Sequence, residues 1–367
     1  MNYSSFHMNG KPILIVPYMW IGDFVRCHTV VRLLLQRQPG CAIDVLTTPT
    51  VAPLLDYMPG VRKAIVADLP RKRLAWKAHA GLAKRLRAEG YGQALVMPRT
   101  WKSALAPYLA GIPRRTGFVG EARFALINDL RLGEQRLPRM VDRCAALALA
   151  RDESVPESWP LPQLMVPASD VERWCERRCL AVDSRPVVAF APGAVGPSKR
   201  WPVEYFADLA SRLVAEGYDV WILGGPSEKD IATDICRAAP AHIRDLTGAD
   251  LREAVLALAA ACAAVSNDSG LLHVAAALGR PAIGIFGPTS PWHWAPLNPI
   301  SALIETVDVL ACRPCHKPVC RVGHHRCMRD IKPEQLALAT RRALAQSPSP
   351  LTDPHHSKEP LTPPSPR

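Results

Sequence analysis

The segment from Asn267 to His273, with the sequence Asn-Asp-Ser-Gly-Leu-Leu-His, carries residue types that suit the binding of an anion. The apolar run Ala254 to Val265 ends in a predicted strand just before it, and Gly270 opens a predicted helix. Asp268 and Ser269 therefore lie where the free N–H groups of a first helical turn and the positive end of the helix dipole point to solvent. Such a position suits the diphosphate of a nucleotide sugar.

Other loops of the second half offer complementary groups. The loop from Pro192 to Pro202 contains two glycines, which let the backbone approach a ligand, and carries Ser198 and Lys199 between a strand and a helix. We favour phosphate contact for this loop over the alternative of a solvated basic loop. Thr289 follows the predicted strand Ala282–Phe286, at the carboxyl edge where open α/β sheets bind ligands. Glu228 has two readings, contact with ribose hydroxyls or a cap of the next helix.

Asp23 is the candidate proton acceptor of the first half. It follows the first predicted strand and opens the first long helix, so that its commonest role by position is that of an N-cap. A carboxylate at the rim of a cleft could instead accept a proton from an attacking sugar hydroxyl. His273 also has two interpretations. It either helps to position the site or, because it lies inside a predicted helix, is a packed, hydrogen-bonded core histidine.

These residues depend for their positions on strands and helices that alternate twice along the chain. The first half predicts strands at Pro12–Val16, Ala42–Thr47, Ala64–Val66 and Gln93–Met97, and helices at Asp23–Gln38, Arg73–Glu89 and Trp101–Ala110. The second half predicts strands at Val187–Ala191, Asp219–Leu223, Ala263–Ser266 and Ala282–Phe286, and helices at Val203–Glu216, Glu228–Ala238, Leu251–Ala261 and Gly270–Leu278. The alternation indicates an α/β protein with two doubly wound parallel sheets facing across a cleft.

The Pro-rich segment Val155 to Pro167 interrupts this alternation and is typical of an interdomain linker. We therefore expect an N-terminal extension at 1–11, a Rossmann-like domain at 12–165 and a second Rossmann-like domain at 166–345. Residues 346–367 are rich in Pro and Ser with almost no apolar residues, and we expect them to be disordered.

Composition limits the class of protein. The 367 residues are 48% hydrophobic, enough for two cores, and no apolar run reaches the roughly 20 residues that span a bilayer. Eleven irregularly spaced cysteines favour a reducing compartment, and no signal peptide is recognisable, so we expect a soluble cytoplasmic protein. The formal charge of +12 has two interpretations, a generally basic, arginine-rich composition or attraction to a polyanionic partner. Because no nucleic-acid module is recognisable, a polyanionic substrate at a membrane face is favoured over nucleic acid.

A cysteine cluster follows the second half. Its members are Cys312, Cys315, Cys320 and Cys327, with three histidines in the same loop at 312–327. These residue types bind structural zinc, although the spacing lacks the second Cys-x2-Cys pair of a zinc ribbon. Free reduced thiols in a long loop are the alternative.

Several long motifs, in order, resemble the bacterial heptosyltransferases, which are glycosyltransferase family nine. In the second half they are Lys199-Arg-Trp-Pro202, Gly224-Gly-Pro-x-Glu228, Asn267-Asp-Ser-Gly-Leu-x-His273 and Phe286-Gly-Pro-Thr289. The first half is similar to the heptosyltransferase II branch of the family, through Trp20-Ile-Gly-Asp23, Lys102-Ser-Ala-Leu-Ala-Pro107, Ala110-Gly-Ile-Pro113, Arg115-Thr-Gly-Phe-Val-Gly-Glu-Ala-Arg123 and Ile127-Asn-Asp129. The resemblance covers roughly residues 11 to 345.

This resemblance implies a GT-B fold and an inverting transfer of L-glycero-D-manno-heptose from ADP-heptose to the first heptose of the lipopolysaccharide inner core. It makes Asp23 the general base and Lys199 the residue that stabilises the departing ADP. The implied donor-binding residues are Ser198, Lys199, Glu228, Asp268, Ser269, Gly270, Leu271, His273 and Thr289. The implied acceptor-binding residues, in the first domain, are Lys102, Arg115 and Arg123.

The resemblance also implies the partners. The acceptor is an anionic lipid A–core oligosaccharide, reached at the cytoplasmic face of the inner membrane, and no cofactor is required because Lys199 and the helix terminus stabilise the leaving group. Two alternatives of different class stay open. One is another enzyme of the same fold, such as a heptosyltransferase I or III or a nucleotide-sugar epimerase. The other is a zinc-stabilised protein that binds nucleic acid or acidic lipid.

Overall fold

A computed structural model of the chain describes residues 10–70, 75–180 and 185–346. The expected disordered tail lies outside the described residues from position 347 onward, as does most of the expected N-terminal extension. Gln346, which we assigned to the tail, instead ends the last helix.

The first half forms a six-stranded sheet in which every neighbouring pair is parallel. Its central strands β1 and β4 are short apolar segments with every residue buried, as expected of a parallel sheet covered on both faces. The strand order is β3-β2-β1-β4-β5-β6. The elements are β1 Ile13–Val16, α1 Ile21–Arg26, α2 His28–Arg37, β2 Ile43–Thr47, β3 Lys63–Val66, α3 Trp76–Ala88, β4 Gln93–Val96, α4 Trp101–Leu109, β5 Arg114–Phe118, β6 Asp129–Arg131 and α5 Met140–Ala146.

The second half repeats this arrangement with the order β9-β8-β7-β10-β11-β12, again parallel throughout. Its elements are α6 Ala168–Arg177, β7 Val187–Ala191, α7 Val203–Ala215, β8 Asp219–Ile222, α8 Lys229–Cys236, β9 Ile243–Asp245, α9 Leu251–Ala260, β10 Ala263–Asn267, α10 Gly270–Ala277, β11 Ala282–Ile285, α11 Pro291–Trp294, β12 Ala302–Ile304, α12 Arg326–Arg329 and α13 Pro333–Gln346. The prediction of two doubly wound parallel sheets is confirmed. No helix in the described ranges is long and apolar enough to cross a membrane.

One helix that we predicted to be continuous is interrupted in the structure. The expected single helix Asp23–Gln38 is two helices, because the chain tightens at Cys27. The N–H of Cys27 is shared between the carbonyls of Asp23 (3.0 Å) and Phe24 (3.2 Å), which adds a 3-10-type bond to the regular helical one. α1 therefore stands as a separate short helix after β1.

The carboxyl edges of the two sheets meet where α1 packs against α10. Two glycines allow this close approach. A Cβ atom at Gly22 would lie 2.7 Å from Cδ2 of His273, and one at Gly270 would lie 2.6 Å from Cβ of Ile21. Both separations are shorter than real Cβ contacts, so a larger residue at either position would push the two helices apart.

The segment Val155–Pro167, which we predicted as a linker, runs as irregular chain between α5 and α6. It is tied to both halves. The N–H of Leu164 donates to the carbonyl of Ala277 in α10, and the N–H of Met165 donates to the carbonyl of Tyr57 in the first half, each at 2.8 Å. These bonds hold the segment against the two sheets that it connects.

The first half also anchors this segment through His28, which is buried in α2. Nδ1 of His28 accepts the N–H of Gln163 at 2.9 Å, and Nε2 lies 2.8 Å from the carbonyl oxygen of Pro59. Only the neutral ring with its proton on Nε2 satisfies both partners. The anchor therefore depends on an uncharged imidazole.

We expect acid to weaken this anchor. Burial lowers the pKa of His28 from 6.5 to about 4. The unfolded chain binds a proton near pH 6.5 and the folded chain only near pH 4, so the neutral ring stabilises the fold above pH 6.5 and this contribution is lost as the pH falls through that window. The complete loss is roughly 3 kcal/mol, at about 1.4 kcal/mol per pKa unit. Urea denaturation at neutral and acid pH should show a smaller loss of stability for His28→Gln than for the unsubstituted chain; equal losses would contradict the role of His28.

Candidate active site

Asp23 is the third residue of α1, the helix that follows β1. The N-cap of this helix is Trp20, so the alternative reading of Asp23 as the N-cap was wrong. Its side chain is 13% exposed, and its Oδ1 accepts a bond of 2.6 Å from Nη1 of Arg26 one turn later. The carboxylate therefore lies at the contact between the two halves and is fixed in direction.

The surroundings of Asp23 make it a stronger base than an exposed aspartate. Burial raises its pKa above the ordinary value of 3.8, and the negative charge of Asp268 raises it further. Arg26 and Lys199 act in the opposite direction and keep the increase in check. The influence of Asp268 and Lys199 agrees with the packing of α1 against α10, which brings groups of the second half toward Asp23. A carboxylate with a raised pKa can accept a proton during a reaction near neutral pH.

Arg26 joins the two halves, and the sequence analysis did not identify it. Its Nη2 lies 2.9 Å from Nε2 of His273 and 2.5 Å from the carbonyl oxygen of Trp294. Burial lowers the pKa of His273 well below its usual value, and the charges of Arg26 and Lys199 lower it further. His273 is therefore neutral and accepts the guanidinium proton on Nε2. The i,i+3 spacing of Asp23 and Arg26 was the signal available in the sequence.

We expect Arg26→Gln to change the pH dependence of turnover. The guanidinium lowers the pKa of Asp23, so its removal raises that pKa further and moves the acid limb of the kcat profile to higher pH. The matched control is Arg173→Gln, because Arg173 makes a similar i,i+3 pair with Asp170 in α6, away from this site. A uniform loss of kcat with an unshifted acid limb would contradict the positioning role of Arg26.

Lys199, Asp268 and Thr289 come from three loops at the carboxyl edge of the second sheet and meet at one carboxylate oxygen. Nζ of Lys199 donates to Oδ2 of Asp268 at 2.7 Å, and Oγ1 of Thr289 donates to the same oxygen at 2.8 Å. Asp268 is buried, whereas the lysine side chain is 28% exposed. This arrangement holds one ammonium group at the edge of the site with a free side toward solvent.

The start of α10 lies beside this group. Ser269 is its N-cap and makes no side-chain cap bond; its hydroxyl lies 2.9 Å from that of Ser266. Gly270 is the first residue of the helix, as predicted, and Leu271 follows it. Because the first N–H groups of a helix have no partners within the helix, these residues present donors to an anion.

Ser198 and Glu228 are engaged by the protein itself. The hydroxyl of Ser198 donates to the carbonyl of Lys317, and its N–H donates to that of Pro318 at 3.1 Å. Oε2 of Glu228 accepts the N–H of Gly225 at 2.9 Å and so caps the 3-10 turn Pro226–Glu228. Glu228 occupies the N-cap position of α8, but its side chain makes no cap bond to that helix, which is the bond that we had considered. Both side chains therefore support loops of the donor side in this structure.

The cysteine loop packs against the loop that carries Lys199. Nε2 of His325 lies 2.8 Å from the carbonyl oxygen of Ser198, and His316 is close enough to Lys199 for that charge to lower its pKa, after burial and His293. The cysteine loop therefore helps to hold the loop that carries Lys199, a role that its sequence did not indicate.

The four cysteines are not assembled as a metal site. Sγ of Cys312 lies 4.0 Å from Nε2 of His324, but within the described ranges no group of three or more His, Cys, Asp or Glu side chains is placed to hold a metal ion. Cys315, Cys320 and Cys327 are free thiols, as is Cys312. The residues as placed do not fit a zinc ion.

The three cations predicted for the acceptor differ in their placement. Lys102 lies half-buried in the first turn of α4. Arg115 donates to the carbonyl groups of Ile112 (2.5 Å) and Leu126 (2.7 Å) and remains partly exposed. Arg123 is 1% exposed, and its guanidinium donates to backbone carbonyls, so the prediction that it faces an acceptor does not fit this structure. Burial with carbonyl partners gives it a structural role.

Comparison with known proteins identifies the family. A family model described as glycosyltransferase family 9 (heptosyltransferase) matches residues 79–325. Lipooligosaccharide heptosyltransferase 2 of Haemophilus influenzae is 37% identical over 337 residues, which cover 88% of this chain and 96% of that protein. Lipopolysaccharide heptosyltransferase 2 of Escherichia coli is 37% identical over 338 residues, with the same coverage.

The fold agrees with these sequence relationships. The solved structure of Escherichia coli ADP-heptose lps heptosyltransferase II is 35% identical, with a TM-score of 0.81 over 91% of this chain and 99% of that one. The resemblance stated from the sequence motifs, including the GT-B arrangement of two Rossmann-like sheets, is thereby confirmed. The chain belongs to glycosyltransferase family 9, the heptosyltransferases.

Proposed function

We propose that this enzyme transfers L-glycero-D-manno-heptose from ADP-heptose to the first heptose of the lipopolysaccharide inner core, with inversion at the anomeric carbon. One observation carries the proposal. Asp23 of the first sheet and the Lys199–Asp268–Thr289 group of the second come together across the α1–α10 contact. A proton acceptor thus faces a cationic anion site. The relatives named heptosyltransferase 2 support this choice of donor and acceptor.

The attacking group is a hydroxyl of the acceptor. Asp23 accepts its proton while the oxygen forms a bond to the anomeric carbon of the donor heptose. At the same time the bond from that carbon to the diphosphate oxygen breaks, and ADP leaves with the bonding electrons. The raised pKa of Asp23 suits the uptake of this proton, and Arg26 keeps its carboxylate directed.

The departing diphosphate gains negative charge as this bond breaks. Lys199 and the N–H groups of Ser269, Gly270 and Leu271 are the donors that stabilise it, because they belong to one edge of the sheet and are fixed before the reaction. Asp268 orients the lysine, and the hydroxyl of Thr289 donates to the same carboxylate oxygen. Neutral His273 accepts a hydrogen bond from Arg26 and so helps to fix its guanidinium group.

The acceptor is an anionic glycolipid at the cytoplasmic face of the inner membrane. Lys102 and the exposed part of Arg115 are the cations of the first half that we assign to it. A glycolipid acceptor requires the enzyme to work at the bilayer surface, and the charge of +12 favours contact with that surface.

The test is release of ADP from ADP-heptose, with and without a lipid A–Kdo2–heptose acceptor. We expect release that depends on this acceptor, together with a gain of one heptose by the glycolipid in mass spectrometry. Release with the heptose-free Kdo2 acceptor alone would instead indicate transfer of the first heptose. Absence of release with both would overturn the proposal.

A further inference from the structure

The positive charge of the chain is concentrated in one stretch. Residues 71–102 contain nine lysines and arginines and a single carboxylate, Glu89, whereas the whole chain has a net charge of +12. In the described part of this stretch, the center of the charge is helix α3, which carries four cations and no acidic residue. A binding partner of opposite charge is therefore expected on this side of the first half.

The cations of α3 are not neutralised by the protein. Glu89 is paired with Lys63, in strand β3, and with Arg62, the residue just before that strand. Within the described ranges, no carboxylate forms an ion pair with a cation of α3, namely Lys77, Lys84, Arg85 and Arg87. Elsewhere exposed arginines commonly have acidic partners, as in the pairs Arg173–Asp170 and Arg237–Asp234.

α3 is amphipathic, and its outer side combines these cations with an aromatic residue. His79, Leu82, Ala83 and Leu86 are buried toward the sheet. The opposite side, here called the basic face, consists of Trp76, Lys77, Lys84, Arg85 and Arg87, all of them exposed. The indole of Trp76 is 59% exposed at the first residue of the helix. Tryptophan favours the boundary between lipid and water, and clustered lysine and arginine favour anionic headgroups.

The shape and position of the basic face favour a surface over a small ligand. The helix has 13 residues and is therefore roughly 20 Å long, which exceeds the reach of one phosphate group. α3 follows β3, so that Trp76 and Lys77 lie toward the carboxyl edge of the first sheet, the edge to which Asp23 belongs. A bilayer lying along α3 would thus be next to the opening through which a lipid-linked acceptor enters.

We propose that the basic face of α3 docks the enzyme on an anionic phospholipid bilayer. This inference rests on the proposed function, since a glycolipid acceptor is what gives the docking its use. Lysine and arginine each contribute attraction to headgroup phosphates, and Trp76 inserts at the level of the headgroups. The docking is electrostatic at the outset and therefore weakens as salt is added.

The test is flotation of the full chain with phosphatidylcholine vesicles that contain or lack phosphatidylglycerol. The chain should bind only the anionic vesicles. The double variant Lys77→Glu, Lys84→Glu should bind them at least about 25-fold more weakly, since each lost cation is worth about fivefold. The matched control Arg173→Glu, Arg237→Glu makes the same change in net charge, within α6 and at the C-cap of α8, and should keep most of the affinity.

Turnover separates this inference from the proposed function. The Lys77→Glu, Lys84→Glu variant should keep its turnover of a deacylated, soluble acceptor and lose turnover of the same acceptor embedded in anionic vesicles. Equal losses of vesicle binding in both double variants would overturn the docking surface, as would tighter binding of an RNA oligonucleotide than of vesicles. Vesicle binding as expected, without turnover of either acceptor, would support the docking surface and overturn the proposed function.

Discussion

Asp23→Asn should lower kcat by about 10²- to 10⁴-fold while leaving the affinity for ADP nearly unchanged. The amide has the shape of the carboxylate and can still accept the bond from Arg26, but it cannot take up the proton of the acceptor hydroxyl. The donor site that we propose is built from the second half, so ADP binding should not depend on this proton. The measurements are acceptor-dependent ADP release and calorimetric titration with ADP.

The control for this substitution is Asp170→Asn. Asp170 also lies in the first turn of a helix, and it pairs with Arg173 three residues later, as Asp23 pairs with Arg26. Its side chain is 29% exposed in α6, a helix that carries none of the candidate site residues, so kcat should be retained. A kcat for Asp23→Asn within a few-fold of that of the control would exclude Asp23 as the base. In the unsubstituted enzyme, kcat should fall as the pH is lowered, with its midpoint above the ordinary aspartate pKa of 3.8, because burial raises the pKa of Asp23.

The central elements of both sheets could be predicted because burial on two faces leaves a clear record in the sequence. β7 was predicted with its observed bounds, and β1 and β4 to within one residue at each end, since each is a short apolar run. The edge strands β6, β9 and β12 have three residues each, too few to show a period. β5 was missed because its sequence, Arg-Arg-Thr-Gly-Phe, is mostly polar and becomes a strand through its pairing with β4.

The positions of candidate site residues along the sheet edges could be predicted, but the directions of their side chains could not. Arg123 stands in a family motif, yet its guanidinium turns inward to backbone carbonyls. The sequence did not point to Arg26, because a single arginine in a helix is ordinarily a surface residue, whereas here it reaches His273, which is 247 positions away. The contact of Ser198 with Lys317 is of the same kind. Such pairs arise from the packing of distant segments, which one sequence does not record.

Lys199→Met should lower kcat by about 10²- to 10³-fold and also weaken ADP binding. The methionine keeps much of the volume of the lysine stem but removes the ammonium group that we assign to the diphosphate. It also leaves the buried carboxylate of Asp268 with Thr289 as its remaining side-chain partner among those found here. Loss of both kcat and ADP affinity distinguishes this variant from Asp23→Asn, in which only the proton transfer is affected. Steady-state kinetics and ADP titration measure the two quantities.

The chain offers a closely matched control in Lys229→Met. Nζ of Lys229 lies 2.7 Å from Oδ2 of Asp245, the same separation as between Lys199 and Asp268, but the Lys229 side chain is 61% exposed. An exposed pair of this kind contributes little to stability, so the control should keep both kcat and ADP affinity. If Lys199→Met behaved like Lys229→Met, the Lys199 ammonium would serve only to neutralise Asp268. The charge on the departing ADP would then have to be stabilised by the N–H groups at the start of α10 alone.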